Sequence, residues 1–291
     1  MKHLIILGCK KQSGKTTAAA AIYAWILVQK GIFPAINIHP ITGALSAIYD
    51  KEKSEGINFD IDNNSPEMLK FKEENVWAHV KHVNFADALK ESICRLFSIP
   101  KEQVYGTNEQ KNTLTNIKIN DIWRLLPDYK KEELTKTQKI YINTRQLMEI
   151  FGTEVCRAFD NDCHIKSAYN SILESDSEIG IIPDMRFENE FLFFEKLREE
   201  KPDGLNVILI KLNRENCKSD AKSEQGIPEI DDKRYNLVLN NQNLSVLQKN
   251  EEIIKFLIHK GVLSSVGILS LIHISEPTRL RRISYAVFCL K

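Results

Sequence analysis

The stretch LIILGCKKQSGKTT, residues 4–17, decides the fold of this chain. It opens on a continuous apolar run, which is typical of a buried parallel strand. A short polar loop follows and ends in Ser13-Gly14-Lys15-Thr16. Residues 18–28 are rich in Ala, Leu and Ile, and they predict a buried helix. A strand, a polar loop and a helix in this order are the context that a Walker A phosphate-binding loop requires.

The end of this loop has the chemistry of a phosphate site. Backbone N–H groups of the loop and of the helix N-terminus would face a phosphate. The ammonium group of Lys15 would neutralise phosphate oxygens, and the hydroxyl group of Thr16 would bind Mg²⁺. The usual pattern has a glycine five residues before Gly14, where this chain has Cys9. The alternative interpretation is a Gly/Ser turn with a solvated lysine.

The bulk composition of the chain is that of an ordinary globular protein. It has 291 residues, of which 43% are hydrophobic and 27% charged, and its formal net charge is +1. So small a net charge creates no strong field for nucleic acid or an anionic membrane. The six cysteines include no CxxC pair, which favours reduced thiols over a disulfide framework or a zinc site. We therefore expect a cytoplasmic protein without stable nucleic-acid or membrane binding.

The distribution of apolar segments predicts an α/β fold, with a three-layer parallel sheet that carries helices on both faces. We assign residues 1–262 to one domain. An insertion at about 35–75 is predicted to hold a β-hairpin, with strands 35–39 and 44–48, followed by a polar surface excursion. A lysine-rich insertion at about 106–143 has the character of a helical lid over a phosphate site. A plain helical excursion on the surface is the alternative for the second insertion.

Further segments complete the predicted sheet and its helices. Core strands are expected at 79–85, 179–187, 205–212 and 235–240. Helices are expected at 86–97, 188–200 and 244–259. Residues 144–154 begin with a helical pattern, and we expect the helix to break at Gly152.

Charged residues at the predicted strand ends are candidates for substrate contacts, because ligands of open α/β sheets bind at the carboxyl ends of strands. Asp87 and Lys90 follow one strand, although an N-cap and a solvated lysine would look the same. Asp184 ends another strand and is placed to act as a Walker B-type carboxylate for Mg²⁺. Arg186, two residues later, could reach a phosphate group.

Two further arginines lie near the predicted lid. Arg145 and Arg157 carry guanidinium groups, which bind phosphate through paired hydrogen bonds. Each could equally be an arginine of a surface ion pair. The pair Cys163-His164 is too isolated to predict a metal site, so His164 is interpreted as a pocket wall or a surface residue.

Several segments together resemble one family. They are Ser13-Gly14-Lys15-Thr16-Thr17, Phe85-Ala86-Asp87-Ala88-Leu89-Lys90, Arg145-Gln146-Leu147 with Phe151-Gly152-Thr153-Glu154 and Arg157, and Asp184-Met185-Arg186-Phe187-Glu188-Asn189-Glu190. Over roughly residues 1–260 the chain resembles the phage deoxynucleoside monophosphate kinases, a group of P-loop nucleotide kinases. The resemblance implies ATP-dependent phosphorylation of deoxynucleoside 5′-monophosphates to diphosphates.

The resemblance also implies roles for individual residues. The catalytic residues would be Lys15, Arg145, Arg157, Asp184 and Arg186. ATP would be held by Gln12, Ser13, Gly14, Lys15, Thr16, Thr17 and Arg214, with Arg214 stacked on adenine. The acceptor nucleotide would be lined by Lys11, Asp87, Lys90, Arg145, Gly152, Thr153, His164, Asp184, Arg186 and Glu190. Mg²⁺ would be held by Thr16 and Asp184. The family often has Trp where His164 stands. A homodimer remains an open alternative for the assembly.

The end of the chain fits no part of this fold. Residues 263–291 combine an apolar end, a basic cluster and a proline after the sheet is already complete. We interpret them as a non-native or disordered tail that resembles translated sequencing adapter, and we expect the tail to pack poorly on the domain. A basic-apolar anchor for a membrane or a partner is the alternative.

Other functions stay open at this point. A different small-molecule P-loop kinase, such as one of the dephospho-coenzyme A kinase type, would share the phosphate loop and the strand-end aspartate. A non-catalytic nucleotide-binding regulator would bind ATP without the convergence of Arg145, Arg157 and Arg186. A binding module with a vestigial site is a third reading.

Overall fold

The computed structural model describes residues 2–9, 13–48, 56–63, 65–137, 139–202, 204–214 and 230–265. The strands are β1 (Lys2–Cys9), β2 (Ala35–Ile38), β3 (Leu45–Ile48), β4 (Gly56–Phe59), β5 (Val80–His82), β6 (Leu114–Lys118), β7 (Tyr141–Asn143), β8 (Ile179–Met185), β9 (Leu205–Asn213) and β10 (Leu237–Asn240). The main sheet has the order β10-β9-β1-β8-β5, and all its pairs are parallel. The first strand of the chain is therefore the middle strand of this sheet.

Helices connect these strands. They are α1 (Lys15–Gln29), α2 (Pro66–Asn75), α3 (Asp87–Leu96), α4 (Lys101–Tyr105), α5 (Asn108–Lys111), α6 (Ile119–Ile122), α7 (Asp128–Thr137), α8 (Thr144–Glu149), α9 (Arg157–Phe159), α10 (Cys163–Leu173), α11 (Glu188–Glu200) and α12 (Val246–His259). Short 3₁₀ segments lie at Trp123–Leu125 and Asp232–Arg234, and a π-helical segment lies at Ile150–Cys156. No described helix is long and apolar enough to cross a membrane.

The main sheet is covered on both faces. Side chains of β1 alternate, so Ile5 and Leu7 pack with α1 and α12, while Leu4 and Ile6 pack with α10 and α11. All of these β1 side chains are fully buried. The helix α1 is buried from Ala18 to Leu27, because its alanines allow it to lie close to the sheet. The predicted three-layer α/β architecture with a parallel sheet is thus confirmed.

The first insertion forms a small antiparallel sheet. The predicted hairpin is present as β2 and β3, and the bond from His39 N–H to the Ala44 carbonyl closes its turn. Two elements of the insertion were not predicted from the sequence. One is β4, which pairs with β3 as a third strand. The other is α2, whose N-cap Ser65 accepts a hydrogen bond from the Met68 N–H group at 3.3 Å. The segment predicted to be a polar surface excursion therefore contains a strand, β4, and a helix, α2.

The second insertion has a core of its own. A separate cluster of buried side chains, which includes Ile93, Val104, Ile119, Leu134 and Ile142, joins α3 to α8. The sequence analysis predicted helices here, and α5, α6 and α7 lie in this segment. It did not predict the antiparallel pair of β6 and β7, which joins the two ends of the segment.

Two local predictions were wrong. The helix does not break at Gly152, because α8 continues through the π-helical segment into α9. A Cβ atom at Gly152 would lie 2.8 Å from Leu89 Cδ2, so the missing side chain allows a close approach to α3 instead of ending the helix. The strand expected at 79–85 is regular only from Val80 to His82. Beyond it, the Phe85 N–H group bonds to the Asp184 side chain and not to a neighbouring carbonyl.

A bulge interrupts β8 beside its neighbour β1. Ile6 pairs with Ile182, but Gly8 pairs with Met185, so β8 has one extra residue at 183–184. Pro183 has no N–H group to donate to a ladder, and a bulge is the usual way to fit proline into an inner strand. Because the bulge shifts the alternation of side chains, Met185 takes the core position that Asp184 would otherwise occupy.

The described part of the chain ends at Ser264 and Ser265. Val262 and Leu263 are buried against the core that holds α1 and α12. Leu263, which the sequence analysis assigned to the tail, therefore packs on the core of the domain. The rest of the predicted tail, residues 266–291, lies outside the described residues.

Candidate active site

A cleft of about 470 Å³ opens at the carboxyl edge of the main sheet. Five of the residues predicted from the sequence line it together: Lys15, Asp87, Lys90, Asp184 and Arg186. They come from four separate parts of the chain, namely α1, α3, β8 and the link from β8 to α11. The cleft therefore brings together a phosphate-loop lysine, two carboxylates and two further cations.

In the described part of the phosphate loop, a glycine with positive φ leads directly into α1. Gly14 is the residue before α1 and has φ +86°, the left-handed region that glycine adopts without strain. Ser13 is completely buried, and Lys15 is the first residue of α1. Backbone N–H groups at such a helix start attract anions. The predicted ligands Lys11 and Gln12 lie outside the described residues.

The two threonines after Lys15 differ in their surroundings. Thr16 is exposed, whereas the Thr17 hydroxyl group donates to the Gly14 carbonyl at 2.8 Å. The hairpin turn reaches this point: a Cβ atom at Gly43 would lie 2.3 Å from the Thr17 methyl carbon. Gly43 has φ +71°, so its backbone also favours glycine. The first insertion is therefore packed against the start of α1.

The bulge in β8 directs the Asp184 side chain into the cleft. Its Oδ1 accepts the Phe85 N–H group at 3.2 Å. Burial raises the pKa of Asp184, and the positive charges of Lys15 and Arg186 together with this hydrogen bond oppose the rise. The charge of Asp87 adds to the rise, so two carboxylates share this part of the cleft.

Asp87 connects the sheet to the second insertion. Its Oδ2 accepts the Asn84 N–H group at 2.7 Å, and its Oδ1 lies 3.7 Å from Lys90 Nζ. Lys90 Nζ also lies 5.1 Å from the centre of the Tyr105 ring. Burial, and then the charge of Asp87, raise the pKa of Tyr105. The N-cap of α3 is Ala86, so Asp87 is not the capping residue; it is the first residue of the helix, holds the Asn84 N–H group before it, and lines the cleft.

Glu190 is buried beneath Arg186 and does not line the cleft. Only 2% of Glu190 is exposed, and its Oε2 accepts the N–H groups of Arg186 at 2.6 Å and Phe187 at 3.0 Å. Its Oε1 lies 3.7 Å from Arg157 Nη2, and the Arg157 guanidinium group lies 4.8 Å from the centre of the Phe187 ring. Glu190 and Arg157 thus hold the segment from which the Arg186 side chain enters the cleft.

Replacement of Glu190 by glutamine is expected to flatten the pH dependence of stability. Burial raises the pKa of Glu190 to about 7, the Asp184 charge adds to this, and the two N–H groups and Arg157 oppose it. Between the ordinary pKa of a glutamate and about pH 7, the folded chain holds a proton that the unfolded chain has released. The free energy of unfolding of the wild type therefore falls as the pH rises through this window, by about 3 kcal/mol, and levels off above it.

Urea denaturation from about pH 4.5 to about pH 7.5 tests this expectation. The E190Q variant should gain stability relative to the wild type as the pH rises. The exposed Glu188, in the first turn of the same helix, supplies the control E188Q, whose curve should run parallel to that of the wild type. Parallel curves for E190Q and the wild type would contradict the prediction.

The second insertion contributes a side chain to the cleft. Lys111 lines it, as does Tyr105 at the end of α4 just before the insertion. Burial followed by the charges of Lys90 and Arg145 lowers the pKa of Lys111. Arg145 itself lies near these cations, where its Nη2 donates to Asn108 Oδ1 at 2.7 Å. Arg145 is therefore beside the cleft without being one of its lining residues.

The remaining predicted residues that the structure describes do not line the cleft. His164 Nε2 is 3.2 Å from the Gly152 carbonyl, and burial lowers the pKa of His164. Thr153 is exposed in the π-helical segment. Arg214 follows the last residue of β9 and is exposed at the same edge of the sheet as the phosphate loop.

The first insertion supplies cleft residues that the sequence analysis missed. Lys72 is 4% exposed, and its Nζ donates to the carbonyls of Ile61 and Asn63 at 2.7 Å each. This contact holds the loop that carries Asp62, whose Oδ1 lies 3.6 Å from His82 Nδ1. Burial lowers the pKa of both His82 and Lys72. These contacts could not be predicted from a periodic pattern. Lys72 lies on the polar helix α2, and the carboxylates Asp60 and Asp62 lie in a loop.

The donor set of the cleft suits a magnesium ion. Asp184 is an oxygen donor that lines the cleft beside Lys15. Thr16, the residue after Lys15, carries a second oxygen donor but is exposed and does not line the cleft. Among the described residues, no group of three or more His, Cys, Asp or Glu side chains is arranged to hold a metal. Mg²⁺ in phosphotransferases is nevertheless commonly held by one or two carboxylates together with substrate phosphates. The residues present therefore fit an ion that binds together with a nucleotide.

The fold and the cleft are those of a P-loop kinase-like α/β protein. Comparison with known families gives the particular group: the model of the deoxynucleotide monophosphate kinases matches residues 3–250. The chain belongs to the deoxynucleotide monophosphate kinase family. A protein of Acanthamoeba polyphaga mimivirus, provisionally named a deoxynucleotide monophosphate kinase, is 28% identical over 170 residues, which are 54% of this chain and 73% of that protein. The resemblance seen in the sequence motifs is thereby confirmed, and the family name indicates a kinase.

Proposed function

We propose that the protein transfers the γ-phosphoryl group of ATP to a deoxynucleoside 5′-monophosphate and releases ADP and a deoxynucleoside diphosphate. The observation that carries the proposal is the meeting of Lys15, Asp184 and Arg186 in one cleft. Family membership supports the same reaction. A cleft of about 470 Å³ has a volume within the usual range for small-molecule sites.

In this proposal the phosphate loop binds ATP. The N–H groups at the start of α1 bind the β- and γ-phosphates, and Lys15 donates to their oxygens. Thr16 and Asp184 would hold Mg²⁺, which when bound neutralises charge on the phosphates. Ser13, Gly14 and Thr17 shape the loop, and Arg214 is offered as the adenine contact at the same edge of the sheet.

The acceptor monophosphate lies between the sheet and the second insertion in this proposal. Arg186 and Lys90 line that part of the cleft, and Arg145 lies beside it. Their positive charges draw the acceptor phosphate towards the γ-phosphate and stabilise charge on the equatorial oxygens during transfer. Asp87, Gly152, Thr153 and His164 are offered as further contacts of the acceptor. Arg157 and Glu190 act by holding the backbone of Arg186.

The second insertion is proposed to act as a lid. Its residue Lys111 lines the cleft next to Tyr105, the last residue of α4, so movement of the insertion towards the sheet would narrow the opening. Exclusion of water matters because water competes with the acceptor for the phosphoryl group. Phosphoryl transfer needs mainly positioning and charge stabilisation from the protein, and both improve as the cleft closes.

A coupled assay of ADP release tests the proposed reaction. Purified protein is given ATP and Mg²⁺ with each of the four deoxynucleoside monophosphates, each ribonucleoside monophosphate and dephospho-coenzyme A. We expect ADP release with at least one deoxynucleoside monophosphate and matching formation of its diphosphate. Turnover with dephospho-coenzyme A alone would assign the protein to the other kinase class. Binding of ATP without turnover of any acceptor would instead favour a nucleotide-binding regulator.

A further inference from the structure

The C-terminal helix reaches the phosphate loop. Lys249 Nζ donates to the Gly14 carbonyl at 2.6 Å and also to the Thr17 hydroxyl group. Asn241, the residue after β10, donates its side-chain amide to the Ser13 carbonyl. We propose that Lys249 and Asn241 are positioning residues that hold the phosphate loop in its binding shape.

Lys249 is a charged residue on the buried, otherwise apolar stripe of α12. Lys249, Ile253 and Leu257 follow one another at four-residue spacing, and this stripe of α12 packs towards α1. Lys249 is only 2% exposed, although lysine is almost never fully buried without a specific contact. The capping box of Ser245 and Gln248 fixes the start of the helix, so Lys249 lies in its first turn. The helix therefore directs an ammonium group at the loop.

The geometry of the loop explains why side-chain donors reach its carbonyls. When loop N–H groups point inward at a phosphate, the carbonyls of the same peptides point outward and must be satisfied by other donors. The Ser13 carbonyl accepts the Asn241 amide in this way. The Gly14 carbonyl accepts the Ala18 N–H group at 3.1 Å and the Thr17 hydroxyl group at 2.8 Å. Lys249 adds a charged donor to both Gly14 and Thr17. A Cβ atom at Gly14 would lie 2.8 Å from Lys249 Nζ, so the glycine also makes room for this cation.

Electrostatics distinguish this contact from an ordinary packing contact. The N-terminus of a helix carries partial positive charge, and a buried cation beside it is unfavourable while the loop has no anion. A bound polyphosphate offsets this repulsion, because it places negative charge at the start of the helix. Lys249 is therefore expected to contribute to phosphate affinity much more than to the stability of the free protein.

Binding measurements on the full chain test this proposal, which rests on the proposed function. The affinities of ATP, inorganic tripolyphosphate and the preferred acceptor are measured separately by calorimetry for the wild type and K249M. We expect the affinity for ATP and for tripolyphosphate to fall by about 10- to 100-fold, as for a lost hydrogen bond to a charged group, and the acceptor affinity to change less than about twofold. K255M, at an exposed lysine of the same helix, should leave all three affinities unchanged.

Other outcomes of these binding measurements would overturn the proposal or separate it from the proposed function. Equal losses for ATP, tripolyphosphate and the acceptor would show a general structural role and overturn the proposal, as would unchanged affinities. If K249M does not fold, N241L gives the same test through the Ser13 carbonyl, with the same selective loss expected. If the wild type bound tripolyphosphate but phosphorylated no nucleotide, the proposed function would fail, while a selective loss in K249M would still support the role of Lys249.

Discussion

Replacement of Lys15 by alanine is expected to lower kcat by about 10²-fold or more. Lys15 begins α1 and lines the cleft together with Asp184 and Arg186. Removal of one preorganised charge that stabilises a transition state typically has an effect of this size. A loss of 10²-fold corresponds to about 2.7 kcal/mol of transition-state stabilisation. The loss should therefore appear in kcat and not only in KM.

The same variant should change the pH profile. The Lys15 charge opposes the rise in the pKa of Asp184 that burial causes. Without Lys15 the pKa of Asp184 is higher still, so the acidic limb of the residual activity should move to higher pH. The exposed Lys70 of α2 supplies a matched control, and K70A should retain full activity. Turnover by K15A at the wild-type rate would refute the role assigned to Lys15.

Replacement of Asp184 by asparagine should lower activity while it raises stability. The asparagine oxygen can still accept the Phe85 N–H group, so the chain at the bulge keeps its contact. The carboxylate charge is lost, and we expect kcat to fall by about 10²-fold, the usual effect of losing one charge-stabilising group. Because burial raises the pKa of Asp184, the ionised form destabilises the folded chain at neutral pH. Its removal should therefore increase the free energy of unfolding.

Steady-state kinetics and urea denaturation at neutral pH measure the two effects on one preparation. The Mg²⁺ concentration that gives half of the maximal rate should also rise in D184N. E188Q removes a carboxylate from the exposed start of the neighbouring helix. It should change neither the activity nor the free energy of unfolding. A D184N variant that loses stability together with activity would point to a structural role for the carboxylate and against the assignment made here.

Much of the fold could be predicted because its strongest signals are local. The apolar run of β1, the alanine-rich α1 and the buried strands β8 and β9 each identify themselves within a few residues. The hairpin of β2 and β3 was predicted from its turn residues. The candidate residues Lys15, Asp87, Lys90, Asp184 and Arg186 follow from the rule that ligands bind at the carboxyl edge of such a sheet.

The contacts that could not be predicted join segments far apart in the chain. The donation from Lys249 to Gly14 spans 235 residues, and no local pattern connects the two. The packing of Gly152 against Leu89 turned a predicted helix break into a continuous helix. The loop of Asp62 enters the cleft only because Lys72 holds its backbone. In each case tertiary packing overrides the local preference of the residue concerned.

The central position of β1 has a consequence for synthesis on the ribosome. Its two neighbours are β8, which begins at Ile179, and β9, which begins at Leu205. A nascent chain must therefore expose the apolar residues of β1, unpaired, until more than half of the polypeptide has been made. Pairings of such long sequence separation form slowly and leave the chain open to aggregation. Newly made copies of this protein should accordingly depend on chaperones more than a helical protein of the same length.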